Sequence, residues 1–360
     1  MNNSNQSGTP TNDNSIPTIA VIGAGAMGSQ IAYRLFQSGA GPILTNLEGR
    51  SSATYKRAAD CGMKDSSYGE IVSQADYILS VVPPKDALAI AKTIADTIKT
   101  LDVGNTDCPP RSQARRRKLV FVDFNAINPT TAEHMAKNFT ETSVIFIDGS
   151  IVGGPPSDVY NPGLYICSDP GDASELIELE GVLKKYGLQP FALKGEGAGI
   201  GDASAVKMAN SGIVKGTIAL FTSMILASHA SSASTSQGLL HSLHISQSTF
   251  IDQMIRLVPQ MTPKAYRFVG EMEEVARFTE GEGLDGISAI YRGAAQVFQR
   301  IADVHEIKEK ESKELAESHG QIDGHRKLVD DVDVLLAVIE DAKKLFQRDK
   351  GGKSWTPPSD

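Results

Sequence analysis

The chain is short of several things that would fix its class by themselves. Its 360 residues include only three cysteines, Cys61, Cys108 and Cys167, far apart and without a CxxC pair. That spacing argues against a disulfide framework and a zinc knuckle, and for a reducing compartment. Of the seven histidines only His241 and His244 lie close together, and no acidic motif joins them, so no metal site is expected. Positive charge is also in deficit: 35 basic against 43 acidic side chains leave a net charge of −8, which disfavours nucleic acid or an anionic membrane as partner. No uninterrupted apolar run reaches the roughly 18–20 residues of a bilayer span. No Lys or Arg precedes Arg34, so the first 17 residues, rich in Asn, Ser, Thr and Gly, read as a disordered tail and not as a secretory or mitochondrial leader. Residues 348–360 read as a second disordered tail, with no peroxisomal tripeptide. The expected location is cytoplasmic.

What is present is enough apolar residue, 41%, for about two domains with real cores. From Thr18 short apolar runs alternate with helical patterns. Strands are expected at 18–22, 43–46, 77–82, 119–124 and 144–148, with helices at 27–37, 68–74 and 85–99 among them. Such alternation predicts parallel βαβ units. Residues 100–118 interrupt it with Pro109, Pro110 and a basic cluster, Arg115 to Lys118, which lacks interleaved aromatics and reads as a solvated surface insertion. After Pro190 helical patterns dominate: one long apolar stretch at 203–230, then 248–258, 262–279, 288–301 and 324–347. The expected plan is a nucleotide-binding domain over 18–195 and an α-helical domain over 196–347. The apolar face of the last helix has two possible partners, its own domain or a second copy.

Gly23-Ala24-Gly25-Ala26-Met27-Gly28 is a GxGxxG between an apolar strand and a helix carrying Ile31, Ala32 and Leu35. In that setting glycines allow a tight turn and bring backbone N–H groups at a helix N-terminus onto a pyrophosphate. The fold class is therefore α/β, a Rossmann doubly wound parallel sheet followed by an all-α C-terminal domain. Glu48, 20 residues past Gly28, is placed to take the ribose hydroxyls of NAD, whereas Arg50 and Ser51 suit the 2′-phosphate of NADP. If the second strand ends at Asn46, Glu48 swings outward. NADP is preferred, with NAD the alternative.

Lys207, Ser211 and Lys215 stand at i, i+4 and i+8, a polar stripe on an otherwise apolar helix. Two ammonium groups on a buried stripe need anions or must lose protons. A carboxylate substrate or a nucleotide phosphate supplies one, and a partly desolvated lysine suits exchange of a hydroxyl proton during hydride transfer. A carboxylate of the chain itself is the other possible partner. Gly153-Gly154 presents bare backbone N–H groups to a carboxylate, with the Ser150 hydroxyl nearby. Asn125 ends a strand on the sheet edge where open α/β folds hold ligands. Arg267 and Glu271 are spaced for a helical ion pair.

These segments together resemble the β-hydroxyacid dehydrogenase superfamily, the group of 6-phosphogluconate and 3-hydroxyisobutyrate dehydrogenases. Ser80-Val81-Val82-Pro83-Pro84 is similar to the strand and proline turn beside the nicotinamide. Asp148-Gly149-Ser150-Ile151-Val152-Gly153-Gly154 is similar to the substrate segment, commonly Asp-Ala-Pro-Val-Ser-Gly-Gly. Gly199-Ile200-Gly201 followed by Lys207 resembles the catalytic-lysine segment. The stretch from Lys207 to Gly216, and Ala265-Tyr266-Arg267 with Glu271 and Glu274, resemble a less characterised branch with its own helical C-terminal domain. The likeness spans about residues 18–303. It implies an NAD(P)-dependent enzyme that moves hydride between nicotinamide and a small hydroxy acid or its carbonyl form. Lys207 would be acid/base, oriented by Ser211 or Asn210. Cofactor contacts would come from Gly23, Gly25, Ala26, Met27, Gly28, Asn46, Glu48, Arg50, Ser51, Val82, Pro83 and Asn125. Substrate contacts would come from Ser150, Gly153, Gly154 and Lys215. A site between the domains and a homodimer are implied as well. Three departures qualify the likeness: Val152 replaces a common Ser, Ser211 a common Asn, and Val214 the Glu that decarboxylating members carry. The alternatives are an imine or other carbonyl reductase of the same superfamily, and a non-catalytic NADP(H)-binding regulator.

Overall fold

The computed structural model describes residues 16–102, 117–317 and 330–350. The first tail up to residue 15, the insertion over 103–116 with Cys108, residues 318–329, and the last tail from residue 351 lie outside the described residues. Two compact units form, one up to Lys207 and one from Met208 onward, and the division falls inside a continuous helix.

The first unit is built on one eight-stranded sheet: β1 (Ile19–Ile22), β2 (Ile43–Thr45), β3 (Met63–Asp65), β4 (Tyr77–Ser80), β5 (Val120–Asp123), β6 (Ile145–Val152), β7 (Gly163–Cys167) and β8 (Gln189–Ala192). Helices α1 (Ala26–Gln37), α2 (Ser52–Asp60), α3 (Tyr68–Gln74), α4 (Pro84–Asp102), α5 (Pro129–Ala136) and α6 (Ala173–Lys185) alternate with the strands. The order is β3-β2-β1-β4-β5-β6-β7-β8, so it reverses between β1 and β4, the place where such sheets open a ligand crevice. Both faces are covered, which explains the unbroken apolar strands. Ile19, Val21, Leu79, Val122 and Ile147 pack toward Ile31, Leu35 and Leu179. Ala20, Ile22, Ile78 and Phe121 pack toward Ile71, Ala91 and Ile94. Phe121, Phe139 and Phe146 stack on that second face.

Six strands are parallel, as the alternation predicts; β7 runs antiparallel to β6 and β8 parallel to β7. Strands β3 and β8 carry no long apolar run, and α2 buries only Ala58, so the patterns that mark the other elements are faint there. The expected strand at 144–148 continues to Val152, because β7 offers four further residues a partner. Gly149 lies under the Phe124 ring: a Cβ added there would stand 2.8 Å from two ring carbons, so the small residue on β6 accommodates the large one after β5.

The second unit is helical. It takes α7 (Asp202–Ser231) from Met208, then α8 (Ala233–Ser246), α9 (Ser248–Met261), α10 (Ala265–Gly281), α11 (Asp285–Glu317) and α12 (Asp331–Lys350). Met254, Val258, Phe268, Met272, Phe298, Leu335 and Ile339 form its core. The helix expected at 262–279 begins with a 3₁₀ turn, Thr262–Lys264, since Pro263 withholds the N–H a continued α-helix needs. The last helix buries Val332, Leu335 and Ile339 in its own unit, which decides between the two partners open to it. By length and composition α7 is apolar enough to cross a membrane, a property it shares with core helices of globular domains.

Candidate active site

The site begins where β1 ends. Gly23 has φ +112°, and a Cβ there would meet the Val81 carbonyl oxygen at 2.3 Å; one on Gly28 would meet the Gly23 oxygen at 1.9 Å. Only glycine fits either place. Gly25 is the N-cap of α1 with no side-chain hydrogen bond, and Ala26 and Met27 open the helix, so the first-turn N–H groups lie uncapped by any side chain. Just past the end of the neighbouring strand β4, Val82 N–H donates to Asn125 Oδ1 at 2.7 Å, with Val82 half-buried and Pro83 exposed. Asn125 is itself buried, and its amide donates to Ser80 Oγ at 3.1 Å and to Asp123. Asn125 thus shapes the turn at Val82.

Beyond β2 the chain leaves the sheet at Thr45. The Asn46 amide donates to the Ser66 carbonyl, 3.2 Å, and Leu47 N–H donates to Asp65 Oδ1, 2.9 Å. Leu47 to Arg50 form a turn with Gly49 at φ +71°, so Glu48 and Arg50 stand exposed on a loop beside the phenol of Tyr68. Ser51 caps α2, its hydroxyl accepting from Thr54 N–H.

The β6 edge and the start of α7 form the other half of the site within the first unit. Lys207 Nζ donates to the Ile151 carbonyl at 2.7 Å, which brings the half-buried amine to the stretch ending in Gly153-Gly154. Ser150 is fully buried and its hydroxyl donates to the Ala203 carbonyl at 2.6 Å, so it ties β6 to α7. Gly153 has φ +131°, and the Tyr160 hydroxyl occupies the space a Cβ would need, 1.9 Å from that position.

Under this edge lie two buried carboxylates, Asp123 and Asp148, to which the motif reading gave no role. Asp123 and Asp148 pair in register on β5 and β6. Asp148 accepts from Gly201 N–H (3.1 Å), Ser204 N–H (3.0 Å), Ser204 Oγ (2.7 Å) and Cys167 Sγ (3.4 Å), and so holds the first turn of α7 from outside the helix. Burial raises its pKa against the pull of those donors. Burial, and then the charge of Asp148, push the Asp123 carboxyl up to about 8. Burial also raises the Cys167 thiol, with Asp148 adding to it. The available signal was an aspartate closing each of two apolar strands.

In the second unit Lys215 finds its anion within the chain. Its Nζ lies 2.5 Å from Glu271 Oε2 and 2.5 Å from Ser211 Oγ, and 5.3 Å from the Phe268 ring centre. Glu271 thus pairs with Lys215, and the expected pairing with Arg267 is not the one formed. Ser211 is buried and Asn210 exposed. Among the described residues no group of three His, Cys, Asp or Glu is placed to hold a metal.

A strand, glycine turn and uncapped helix at the switch point of a mostly parallel sheet define a dinucleotide-binding domain of the Rossmann type. Residues 18–193 match the NAD binding domain of 6-phosphogluconate dehydrogenase, and residues 230–301 match a domain of unknown function (DUF1932). The chain thus carries that NAD-binding domain followed by that helical domain. An uncharacterised 28.5 kDa protein of Methanothermus fervidus is 26% identical over 203 residues, 56% of this chain and 67% of that protein. A conserved hypothetical protein of Sinorhizobium meliloti superposes with a TM-score of 0.63 at 22% identity, over 90% of this chain and 97% of the other. For 3-hydroxyisobutyrate dehydrogenase of Mycobacterium tuberculosis the TM-score is 0.56 at 15% identity, over 90% and 99%. These structural likenesses establish the shared fold.

Proposed function

We propose that the protein is an NAD(P)-dependent oxidoreductase acting on a small hydroxy acid or its carbonyl form, with Lys207 as acid/base. The observation that carries the reading is the Lys207 amine at 2.7 Å from the Ile151 carbonyl, beside the diglycine turn. The glycine turn suits a dinucleotide because Gly23 and Gly28 let the turn close tightly, where a Cβ would strike a backbone oxygen, and Gly25 has open space beside it. Nicotinamide, when bound, supplies the hydride acceptor or donor. Gly23, Gly25, Ala26, Met27 and Gly28 hold the pyrophosphate through backbone N–H groups, and Val82, Pro83 and Asn125 flank the nicotinamide end. The early end of β2 keeps Glu48 off the strand, and the Ser51 hydroxyl beyond it favours NADP.

Gly153 and Gly154 anchor the substrate carboxylate; Ser150 supports them by fastening β6 to α7. Lys207 takes up the proton that leaves the substrate hydroxyl in oxidation and returns it in reduction. Ser211 or Asn210 orients the lysine from the next turn of the same helix. Lys215 is neutralised by Glu271, which leaves the Gly153-Gly154 backbone as the principal anion anchor. The exposed stripe Ile213, Leu220 and Met224 on α7 suits a second copy of the chain, which supports a homodimer, and a cytoplasmic location accords with this reading.

Lys207→Ala tests the assignment. With a panel of small hydroxy acids and NADP, turnover should vanish while nucleotide affinity, read by fluorescence titration, stays within a factor of about two. Full residual turnover refutes the role of Lys207. Nucleotide binding by the wild type without turnover on hydroxy acids, carbonyls or cyclic imines refutes the enzyme reading.

A further inference from the structure

Arg57 lies on α2, away from every motif that marks the nucleotide site, yet its side chain reaches the glycine turn. Its Nε donates to the Ala24 carbonyl at 2.7 Å, and Nη2 donates to Thr54 Oγ1 at 3.3 Å. Thr54 Oγ1 in turn lies 3.1 Å from the hydroxyl of Ser51, the N-cap of α2. One hydrogen-bonded chain therefore runs from the start of α2 to the turn between β1 and α1.

An arginine has five N–H donors, and these two bonds leave the outer edge of the guanidinium open. Arg57 is exposed and, among the described residues, pairs with no carboxylate. Arg50, by contrast, stands exposed on the loop near the Tyr68 phenol. Arg57 is thus a cation held on the glycine turn, next to the Thr54 hydroxyl and, through it, to that of Ser51.

We propose that Arg57 is the residue that distinguishes the two nicotinamide dinucleotides, binding the 2′-phosphate of NADPH through the open edge of its guanidinium. A phosphomonoester dianion needs charge-assisted donors in a fixed fork, and the Ala24 bond holds the fork in one orientation. The hydroxyls of Ser51 and Thr54 add neutral donors. NADH, with a plain 2′-hydroxyl, gains nothing from the cation. The inference rests on the nucleotide-binding reading above and names the residue that sets its selectivity.

The experiment is a titration of the full chain with NADPH and, separately, NADH, for the wild type and for Arg57→Ala and Arg57→Lys. The alanine variant should weaken NADPH by about 10- to 100-fold. Its NADH affinity should move by less than about twofold, and the lysine variant should fall between for NADPH. Equal losses for both nucleotides would mean that Arg57 only braces the turn, and would overturn the proposal. No loss for either overturns it as well. A wild type that binds NADH but not NADPH refutes the inference and leaves the dinucleotide reading standing; a wild type that binds neither removes both.

Discussion

Replacing Asp123 with Asn probes the buried carboxylate pair through the pH dependence of stability. The folded carboxyl holds its proton up to about 8, because burial and Asp148 both oppose the charge. In the unfolded chain it ionises at about 4. Below pH 4 both states are protonated and the group contributes no slope. Between the two values the folded state binds the extra proton, so stability falls as pH rises, by about 1.4 kcal/mol for each unit. From pH 5 to pH 8 that amounts to about 4 kcal/mol. Asparagine is of similar size and keeps one oxygen for the Asn125 amide, but has no proton to lose. The variant should therefore gain about 4 kcal/mol relative to the wild type between pH 5 and pH 8. Urea unfolding at several pH values checks this, followed by near-UV circular dichroism, to which seven of the nine tyrosines contribute from the first unit. A difference between the two proteins that stays constant from pH 5 to pH 8 would show Asp123 to be ionised in the folded state and refute the argument.

Two further substitutions test neighbouring claims. Gly28→Ala places a Cβ 1.9 Å from a backbone oxygen, so α1 must shift; nucleotide affinity should drop by about tenfold or more, and unchanged binding would remove the glycine turn from the site. Glu271→Gln leaves the half-buried Lys215 without its carboxylate. Thermal unfolding should show a loss of about 1 kcal/mol that shrinks in high salt, and an unchanged Tm would mean that Lys215 draws no stability from this pair.

Much of the first unit was legible residue by residue. The strands β1, β4 and β5 announce themselves as apolar runs, because a strand covered on both faces has no polar side to show. The glycine turn was legible for a similar reason: Gly23 and Gly28 answer steric demands set within six residues of each other or by the adjoining strand. The helical half was equally open where an apolar face repeats, as in α9. What escaped were elements whose burial is thin, such as β3 and α2, and roles that hang on a distant partner. Asp148 reads as one polar residue after a strand until Gly201 and Ser204, more than fifty positions on, are brought to its oxygens. Arg57 likewise reads as the surface of a helix until Ala24 is beneath it.

The sequence alone therefore determined the βαβ alternation, the dinucleotide turn and the helical second half, since each follows from short-range periodicity and backbone sterics. Tertiary structure decided the antiparallel β7, the Asp123–Asp148 pair, and the pairing of Lys215 with Glu271. It also decided which arginine sits on the glycine turn. Those outcomes depend on which buried charge meets which donor across tens of residues, and the energy of such a meeting exists only once the chain has folded around it.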